Sequence, residues 1–536
     1  MRLLRPVPRV LSRRLAPIAV LAWLAQMGLV VNRSCSQSTP LSLAADLSRY
    51  GSAARWKGVY YRGDKIGFMV TETVSLADGF ELHEDGRLQM ALLGATSAAK
   101  LSTRVVVDRA FLLRSFEFSL DPGTGPLRVQ GSLDGRRLHL TVSSKSGTRS
   151  EDRELPEVPA LSLNLSRQLA AKGLTPGAHH EVQVFDPATL RNAPMSLDVH
   201  AREIVNAAGR PVPAFKVVMR FAGITSTSWV TDTGEVVREE SPLGLIVVTE
   251  TQQRATAMAV PGNVQLDLLE AAAVVPRSPR RIDDPAAVER LRLRLEGPDL
   301  SGPDLQGVGQ SLRGDIVEIR DTRGLKAGPA DAEVERYLRP EVFLESDAPE
   351  IVEEARKATA GATTSRARAE KLVRYVAGLL DKKPTVSLPS AREVLRTKVG
   401  DCNEHTALYV AMARAAGLPA RIAVGLVYLR GAFYYHAWPE VYLAEGADRG
   451  LWLPVDPTLN QFPADATHIR LVRGGLDRQA VILPLIGRTK ITILDLELKP
   501  GSTPVLVGRP LEDTRALDIP IPRRDGSGRG CWSSSR

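Results

Sequence analysis

The chain of 536 residues has few cysteines and few aromatic residues. Only Cys35, Cys402 and Cys531 are present, which excludes the even, patterned set typical of a disulfide-stabilised secreted protein. Aromatic residues make up 5% of the sequence, which disfavours a stacking platform for bases or sugars. The remaining composition, 43% hydrophobic and 24% charged, is that of a globular protein, so wholesale disorder is excluded.

The excess of positive charge lies almost entirely at the two ends of the chain. Of the net charge of +9, residues 1–33 contribute six arginines and no acid, and residues 509–536 contribute a further two charges. This leaves +1 for residues 34–508. Nucleic-acid binding depends on clustered charge that neutralises phosphates, so we expect no nucleic-acid partner for the body of the chain.

One long apolar run stands near the start of the sequence. Leu15 to Val31 carries no charge and five arginines precede it, which predicts a signal anchor or a signal peptide over residues 1–33. No clear A-x-A cleavage site follows at once, and this favours a retained anchor. We therefore expect a cell-envelope protein, anchored in the inner membrane with its bulk in the periplasm, or secreted if the segment is cleaved.

The rest of the chain divides by composition and periodicity. Short alternating stretches separated by turn signals such as Asp134-Gly135 indicate strands. Helical periodicity then predicts helices over 347–360 and 364–380, and the fold class is α+β. The expected divisions are a linker over 34–50, a β-rich domain over 51–262, a small β segment or bridge over 263–339, a further domain over 340–500 and a disordered tail over 501–536.

Three residues of different chemistry stand out in the domain over 340–500. The segment VGDCNEHTALYVAMARAAGLP predicts a buried helix with Cys402 at or just before its first turn. There the backbone N–H groups and the helix dipole favour a thiolate, and they could stabilise an oxyanion on a substrate. His436 lies in a predicted strand, and Asp456 follows the next one. These residue types supply a nucleophile, a base and an orienting group.

Each of these residues also has an ordinary structural explanation. A single cysteine in a buried helix is often a small hydrophobe, a strand histidine is often a core residue, and an aspartate before proline often forms a turn. The three together favour catalysis. Trp438 could shield the reacting pair or merely fill the core. Cys402 and His405 have a spacing seen in metal sites, but no second Cys/His pair accompanies them, so we predict no metal and no cofactor.

The segments GDCNEHTALYVAMARAAGLPAR, YHAWPEVYL and WLPVDPT resemble the three motif blocks of the transglutaminase-like superfamily, the papain-like thiol enzymes. The resemblance covers roughly residues 340–500. It implies that Cys402 is the nucleophile, His436 the base and Asp456 the orienting residue. It also implies a central helix that carries the cysteine and packs on an antiparallel sheet, together with acyl transfer from carboxamides or hydrolysis of amide bonds.

These patterns predict a thiol-dependent amide hydrolase or acyltransferase, such as a cysteine protease, acting on a protein or peptide of the cell envelope. One alternative is a catalytically silent transglutaminase-like scaffold that binds an envelope partner. A further alternative is a structural envelope protein in which the anchor and the β-rich region matter most.

Overall fold

The structure is a computed structural model of the chain. It describes residues 54–92, 95–123, 125–221, 223–241, 244–258, 273–278, 280–297, 304–383, 390–474, 485, 487–501 and 505–506. The predicted anchor or signal segment, the linker, Cys35, Cys531 and nearly all of the predicted tail lie outside these residues. Among the helices of the described part, none is both long and apolar enough to cross a bilayer.

The first half of the described chain forms one antiparallel sheet of 14 strands. Its strands are β1 (Arg55–Tyr61), β2 (Asp64–Leu76), β3 (Gly79–Leu92), β4 (Ala95–Asp108), β5 (Leu113–Asp121), β6 (Leu127–Asp134), β7 (Arg137–Ser144), β8 (Gly147–Glu154), β9 (His179–Asp186), β10 (Arg191–Ala207), β11 (Arg210–Phe221), β12 (Ile224–Val230), β13 (Val236–Glu240) and β14 (Leu245–Glu250). Neighbouring strands follow the chain from β8 back to β1, then β1 pairs with β14, and the order continues from β14 to β9. Strands such as β6 alternate buried and exposed residues because successive side chains point to opposite faces.

The second half of the described chain contains smaller sheets. Its strands are β15 (Arg280–Arg281), β16 (Val288–Glu296), β17 (Gln310–Arg313), β18 (Ile316–Arg320), β19 (Gly328–Pro329), β20 (Asp381–Lys382), β21 (Val399–Gly400), β22 (Ala420–Leu429), β23 (Ala432–Ala444), β24 (Arg449–Pro454), β25 (His468–Gly474), β26 (Lys490–Leu498) and β27 (Val505–Leu506). A five-stranded sheet has the order β19-β24-β23-β22-β25, and a four-stranded sheet has the order β17-β18-β16-β26. Two short pairs, β15-β27 and β20-β21, complete the described sheets.

Four of the six α-helices of the described residues lie between β19 and β22 of the five-stranded sheet. They are α1 (Ser162–Lys172), α2 (Gln252–Thr256), α3 (Pro349–Thr359), α4 (Ser365–Leu379), α5 (Ala391–Thr397) and α6 (Cys402–Ala415), with two short 3₁₀ helices at Pro285–Ala287 and Val334–Leu338. The helices predicted over 347–360 and 364–380 correspond to α3 and α4, each within two residues of the expected ends. Thr364 caps α4, since its side chain accepts a hydrogen bond from the backbone N–H of Ala367.

Helix α6 lies at the centre of the largest apolar core. Every residue from Glu404 to Arg414 is buried, because α6 packs on β22 and β23 and against helices α3, α4 and α5. Each large aliphatic side chain buried there contributes about 2 kcal/mol. The same core includes Leu291 of β16 and Ile491 of β26. The predicted bridge over 263–339 and the segment over 340–500 therefore share one core, while the domain boundary at 339 stays a prediction.

The strand order of the five-stranded sheet determines which polar residues meet. Strand β23 lies between β24 and β22, and β22 pairs in turn with β25. His436 on β23 is opposite Gly425 on β22, and Gly425 is opposite Arg470 on β25. A β-carbon on Gly425 would collide with the carbonyl oxygen of Ile469, so a glycine allows β22 and β25 to approach closely here. Residues of β25 are thereby brought close to those of β23 on the other side of β22.

Candidate active site

The structure places two of the three predicted site residues in direct contact. His436 Nε2 lies 2.8 Å from Oδ2 of Asp456. Asp456 stands two residues after the end of β24, and its backbone exchanges hydrogen bonds of 3.0 and 2.7 Å with Gln461, which closes the turn. A carboxylate only accepts hydrogen bonds, so Nε2 of His436 donates and Nδ1 is left as the basic nitrogen of the neutral ring.

Asp456 is an ionised carboxylate without access to water. Its side chain is fully buried. Burial alone would raise the pKa of Asp456, but the neighbouring imidazoles of His436 and His468 outweigh it and hold the pKa well below its usual value. The remaining oxygen, Oδ1, accepts a hydrogen bond of 2.9 Å from the backbone N–H of Leu459. These contacts fix the carboxylate in both position and charge.

Cys402 is the first residue of α6, and Asp401 caps that helix. The Asp401 carboxylate accepts a hydrogen bond of 3.0 Å from the backbone N–H of Asn403. Glu404 closes the capping box by accepting a hydrogen bond of 2.9 Å from the Asp401 N–H, and the Asp401 side chain also accepts from the Glu404 N–H. Two N–H groups of the first turn are therefore engaged by a carboxylate. The N–H groups of Asn403 and Glu404 already donate to the Asp401 carboxylate. The expectation that first-turn N–H groups could stabilise an oxyanion therefore does not hold for these two groups.

The sulfur of Cys402 lies beside β23. It accepts a hydrogen bond from the backbone N–H of Ala437, the residue that follows His436, and the residue as a whole is partly exposed. Burial of the sulfur, followed by the charge of Asp401, raises the pKa of Cys402 well above its usual value. The lowered thiol pKa expected from the helix dipole is thus wrong, because the sulfur is buried and because the Asp401 carboxylate places a negative charge at the helix end. The contact between the sulfur and His436 Nδ1 stays a prediction.

A second histidine, His468 at the start of β25, belongs to the same cluster. Its Nε2 lies 3.1 Å from Oδ2 of Asp456, and its Nδ1 lies 3.2 Å from Oδ1 of Asp465. Burial alone would lower the pKa of His468, but the hydrogen bonds to Asp456 and Asp465 outweigh it and raise the pKa to about 10. His468 and Asp465 were not predicted from the sequence, because they belong to no motif. The only signal was an acid and a histidine three residues apart.

Two further aromatic side chains, Trp438 and His405, lie near the predicted triad. Trp438 is buried and packs against both imidazoles, with ring centroids 6.0 Å from His436 and 5.1 Å from His468. It therefore fixes the orientation of both rings as well as filling the core. His405 is fully buried, and its Nδ1 donates a hydrogen bond of 2.7 Å to the carbonyl oxygen of Asp401. That bond ties the histidine to the helix cap.

Comparison with known proteins bears on this part of the chain. Residues 353–457, which include Cys402, His436 and Asp456, match the family model of the transglutaminase-like superfamily. Residues 353–457 form a transglutaminase-like domain. No curated protein matches the chain.

Several solved structures are similar to parts of the chain. A β-barrel-like protein of a family of unknown function from Brucella abortus is 13% identical, with a TM-score of 0.29, over 37% of this chain and 96% of that one. A candidate cysteine protease from Cytophaga hutchinsonii is 15% identical, with a TM-score of 0.26, over 42% of this chain and 88% of that one. A DUF1089 family protein from Pseudomonas aeruginosa is 16% identical, with a TM-score of 0.21, over 36% of this chain and 91% of that one.

A buried ion cluster supports the sheet of the transglutaminase-like domain next to the triad. Glu440 on β23 accepts a hydrogen bond of 2.8 Å from Arg421 on β22 and one of 3.0 Å from Arg470 on β25. Burial alone would raise the pKa of Glu440, but Arg470 and Arg421 outweigh it and lower the pKa to about 2. The cluster joins β22, β23 and β25, and two of these strands, β23 and β25, carry His436 and His468.

The donor atoms of His436, Asp456 and His468 are of a type that can bind a metal ion. They lie within 4.8 Å of one another in the described part of the transglutaminase-like domain. The separations between nitrogen and oxygen, 2.8 and 3.1 Å, are ordinary hydrogen-bond distances. Direct hydrogen bonds therefore account for the arrangement as it stands.

Proposed function

We propose that the transglutaminase-like domain is a thiol-dependent amide hydrolase or acyltransferase. Cys402 is the nucleophile, His436 the general base and acid, and Asp456 the residue that orients His436. The substrate is a protein or peptide that offers a carboxamide or a peptide bond. The family match over residues 353–457 supports this class of chemistry.

The reaction begins with a proton transfer. The thiol proton of Cys402 moves to Nδ1 of His436 while the sulfur forms a bond to the carbonyl carbon, giving a tetrahedral oxyanion. The carbon–nitrogen bond then breaks, and His436 returns the proton to the leaving amine or ammonia. Water, deprotonated by His436, attacks the resulting thioester; the carbon–sulfur bond breaks and the thiol and the carboxylic acid are formed. A second amine in place of water gives transfer.

The observation that carries this proposal is the buried hydrogen bond of 2.8 Å between His436 and Asp456. It directs the acidic N–H of the ring toward the carboxylate and leaves the basic nitrogen for a proton from another group. The ionised Asp456 also stabilises the imidazolium that forms when His436 accepts the thiol proton. Cys402, whose sulfur contacts the backbone beside His436, is the thiol within this neighbourhood.

The raised pKa of the Cys402 thiol favours one competing function. A thiol that holds its proton at neutral pH is inert unless a base removes the proton during the reaction. A scaffold that only binds an envelope partner would need no such base. Peptide binding that survives Cys402→Ser, without turnover of any amide by the parent protein, would favour the scaffold.

The proposed chemistry can be tested on a mixture of envelope peptides analysed by mass spectrometry. New termini indicate hydrolysis, a deamidation mass shift indicates attack on side-chain carboxamides, and isopeptides indicate transfer. We expect these products with the parent protein and with Cys531→Ala, which also removes one thiol, and none with Cys402→Ala. Equal product formation by Cys402→Ala and the parent would contradict the proposal.

We also propose that the chain is exported and remains anchored at the inner membrane by residues 1–33. The uncharged run behind five arginines supports this location. A reporter that is active only after export, fused after residue 33, should be active, and the full chain should sediment with membranes. Cytoplasmic, soluble full-length chain would contradict the location without affecting the chemistry.

A further inference from the structure

The Asp456 carboxylate is shared between two imidazoles. Oδ2 is 2.8 Å from Nε2 of His436 and 3.1 Å from Nε2 of His468, while Oδ1 is occupied by the N–H of Leu459. The two histidines approach from different strands, β23 and β25. His468 therefore contacts the residue that orients the proposed base, and it acts on the base only through that residue.

Both ring nitrogens of His468 face hydrogen-bond acceptors. Nε2 faces Asp456, and Nδ1 faces a side-chain oxygen and the carbonyl oxygen of Asp465, each at 3.2 Å. Asp465 is itself held by the N–H and hydroxyl of Thr467, at 2.9 and 2.6 Å, and by the amide of Gln461 at 2.8 Å. A neutral imidazole would turn one lone pair toward a carboxylate. His468 is therefore an imidazolium, in agreement with its raised pKa of about 10.

His468 is not placed to touch a substrate. Its side chain is 3% exposed, and Trp438 packs against its ring. The space next to it, a cavity of about 20 Å³ also lined by Glu440 and Arg470, has room for roughly one water molecule. A peptide cannot enter a space of this size. Any effect of His468 on the reaction must pass through Asp456.

The titratable and charged groups near the two histidines come from every element packed against them. Helix α6 and its cap contribute Asp401, Cys402, Glu404 and His405. The turns contribute Asp456 and Asp465. The sheet contributes Glu440 from β23, Arg421 from β22 and Arg470 from β25. Glu440 and the two arginines neutralise one another in part. The charge pattern nearest His436 is then one carboxylate, Asp456, with one fixed cation, His468, on its far side.

We propose that His468 is a positioning residue that holds Asp456 against His436 and limits how strongly that carboxylate draws a proton onto His436. The inference rests on the proposed roles of Cys402 and His436. Without the cation of His468, Asp456 would stabilise a protonated His436 more strongly. A base that is already protonated cannot accept the thiol proton. The cation of His468 therefore opposes protonation of His436 before the thiol proton is transferred.

The test is the rate at which iodoacetamide alkylates Cys402, measured against pH by mass spectrometry of the Cys402 peptide. Alkylation needs no substrate, and its rate should rise as His436 loses its proton. In His468→Gln the amide can still donate to Asp456, but the positive charge is lost. We expect the midpoint of the rise to move up by about one pH unit, which slows alkylation about ten-fold below the parent midpoint. The plateau at higher pH should be nearly unchanged.

His139→Gln is the matched control, because His139 also pairs with an aspartate, Asp152, but at the surface of the N-terminal sheet. Its alkylation profile should equal that of the parent. His468→Leu loses both the hydrogen bond and the charge, so its plateau should fall as well, by about ten-fold or more. If the leucine variant fails to fold, as judged by its melting temperature, the glutamine variant alone decides.

The outcomes separate this inference from the proposed function. An unmoved or lowered midpoint in His468→Gln, with normal amide turnover by the parent, would overturn the role of His468 alone. A shifted midpoint without turnover of any amide would support the role of His468 and contradict the proposed function. A parent profile that rises only with ionisation of the thiol itself would overturn both, because His436 would then not act on Cys402.

Discussion

Replacing Asp456 with asparagine removes one buried negative charge and keeps nearly the same shape. The amide oxygen can still accept the hydrogen bonds of His436 and His468, which are 2.8 and 3.1 Å long in the parent. The attraction between the carboxylate and the imidazolium that forms on His436 during the reaction is lost. The hydrogen bond from the backbone N–H of Leu459 is lost with it, because the amide nitrogen then takes the place of Oδ1. The charge is the part of this change that acts on His436.

The size of the loss follows from the pKa shift that a carboxylate causes in an adjacent imidazole. An opposite charge at hydrogen-bond distance shifts a pKa by about 1–3 units. Two units correspond to about 2.7 kcal/mol, or about 100-fold in rate. We expect kcat/KM on a peptide amide to fall by about that factor, mainly through kcat, because Asp456 is fully buried and does not contact substrate.

The assay compares Asp456→Asn with Asp152→Asn, which removes a carboxylate from an exposed pair with His139. Amide turnover and alkylation of Cys402 are measured across the pH range, and circular dichroism checks that both variants are folded. Asp152→Asn should retain the parent rate. A folded Asp456→Asn whose rate stays within about threefold of the parent at every pH would refute the reasoning, since a charge worth that little could not support the proposed base.

Two further predictions concern stability. The folded-state pKa of His468, about 10, lies above its value of 6.5 in the unfolded chain. Its stabilising contribution is therefore fully present below pH 6.5 and is lost as pH rises toward 10. The urea midpoint should fall over this range in the parent and fall less in His468→Gln, and an equal fall in both proteins would contradict the charged state of His468. Glu440→Gln should lower stability by about 3–5 kcal/mol because it removes the closest carboxylate of Arg421 and Arg470, which are both buried. Glu497→Gln, at a half-exposed ion pair with Arg290, should leave the melting temperature nearly unchanged. Equal melting temperatures for the two variants would contradict the assignment of the buried cluster.

The chemistry of the site could be predicted from local signals in the sequence. A thiol after a turn signal and before an apolar helix, a histidine in a strand and an aspartate at the end of the next strand are all visible in short segments of the chain. The structure brings His436 and Asp456 together because β23 and β24 are consecutive antiparallel strands. Consecutive strands usually pair, so local pattern was sufficient for this contact.

The features that the sequence analysis missed depend on pairing between distant segments. His468 reaches Asp456 only because β25 pairs with β22 instead of with β24, which precedes it in the chain. In the N-terminal sheet, the alternation of residues predicted individual strands, but not that β1 pairs with β14 and joins two runs of strands. No short-range signal encodes either pairing, because both depend on which faces can be buried together.

The prediction of a lowered pKa for the Cys402 thiol was wrong for a different reason. The sequence places Asp401 and Glu404 around Cys402, and their capping pattern was recognisable. The helix dipole was expected to decide the thiol pKa. In the folded protein the Asp401 carboxylate sits at that helix end and the sulfur is buried, so both effects act against the thiolate. The competition between a dipole and a nearby full charge can be judged only from their positions.

The central claim, that His436 activates Cys402 as a nucleophile, is tested most directly by acylation with a p-nitrophenyl ester followed by acid quench and peptide mass spectrometry. Cys35 and Cys531 of the same chain serve as internal reference thiols. The account predicts that Cys402 is acylated faster than both at neutral pH, that the adduct is lost on treatment with hydroxylamine, and that His436→Gln removes the advantage of Cys402. Acylation of Cys402 no faster than that of the other two thiols, or an advantage that survives His436→Gln, would contradict it.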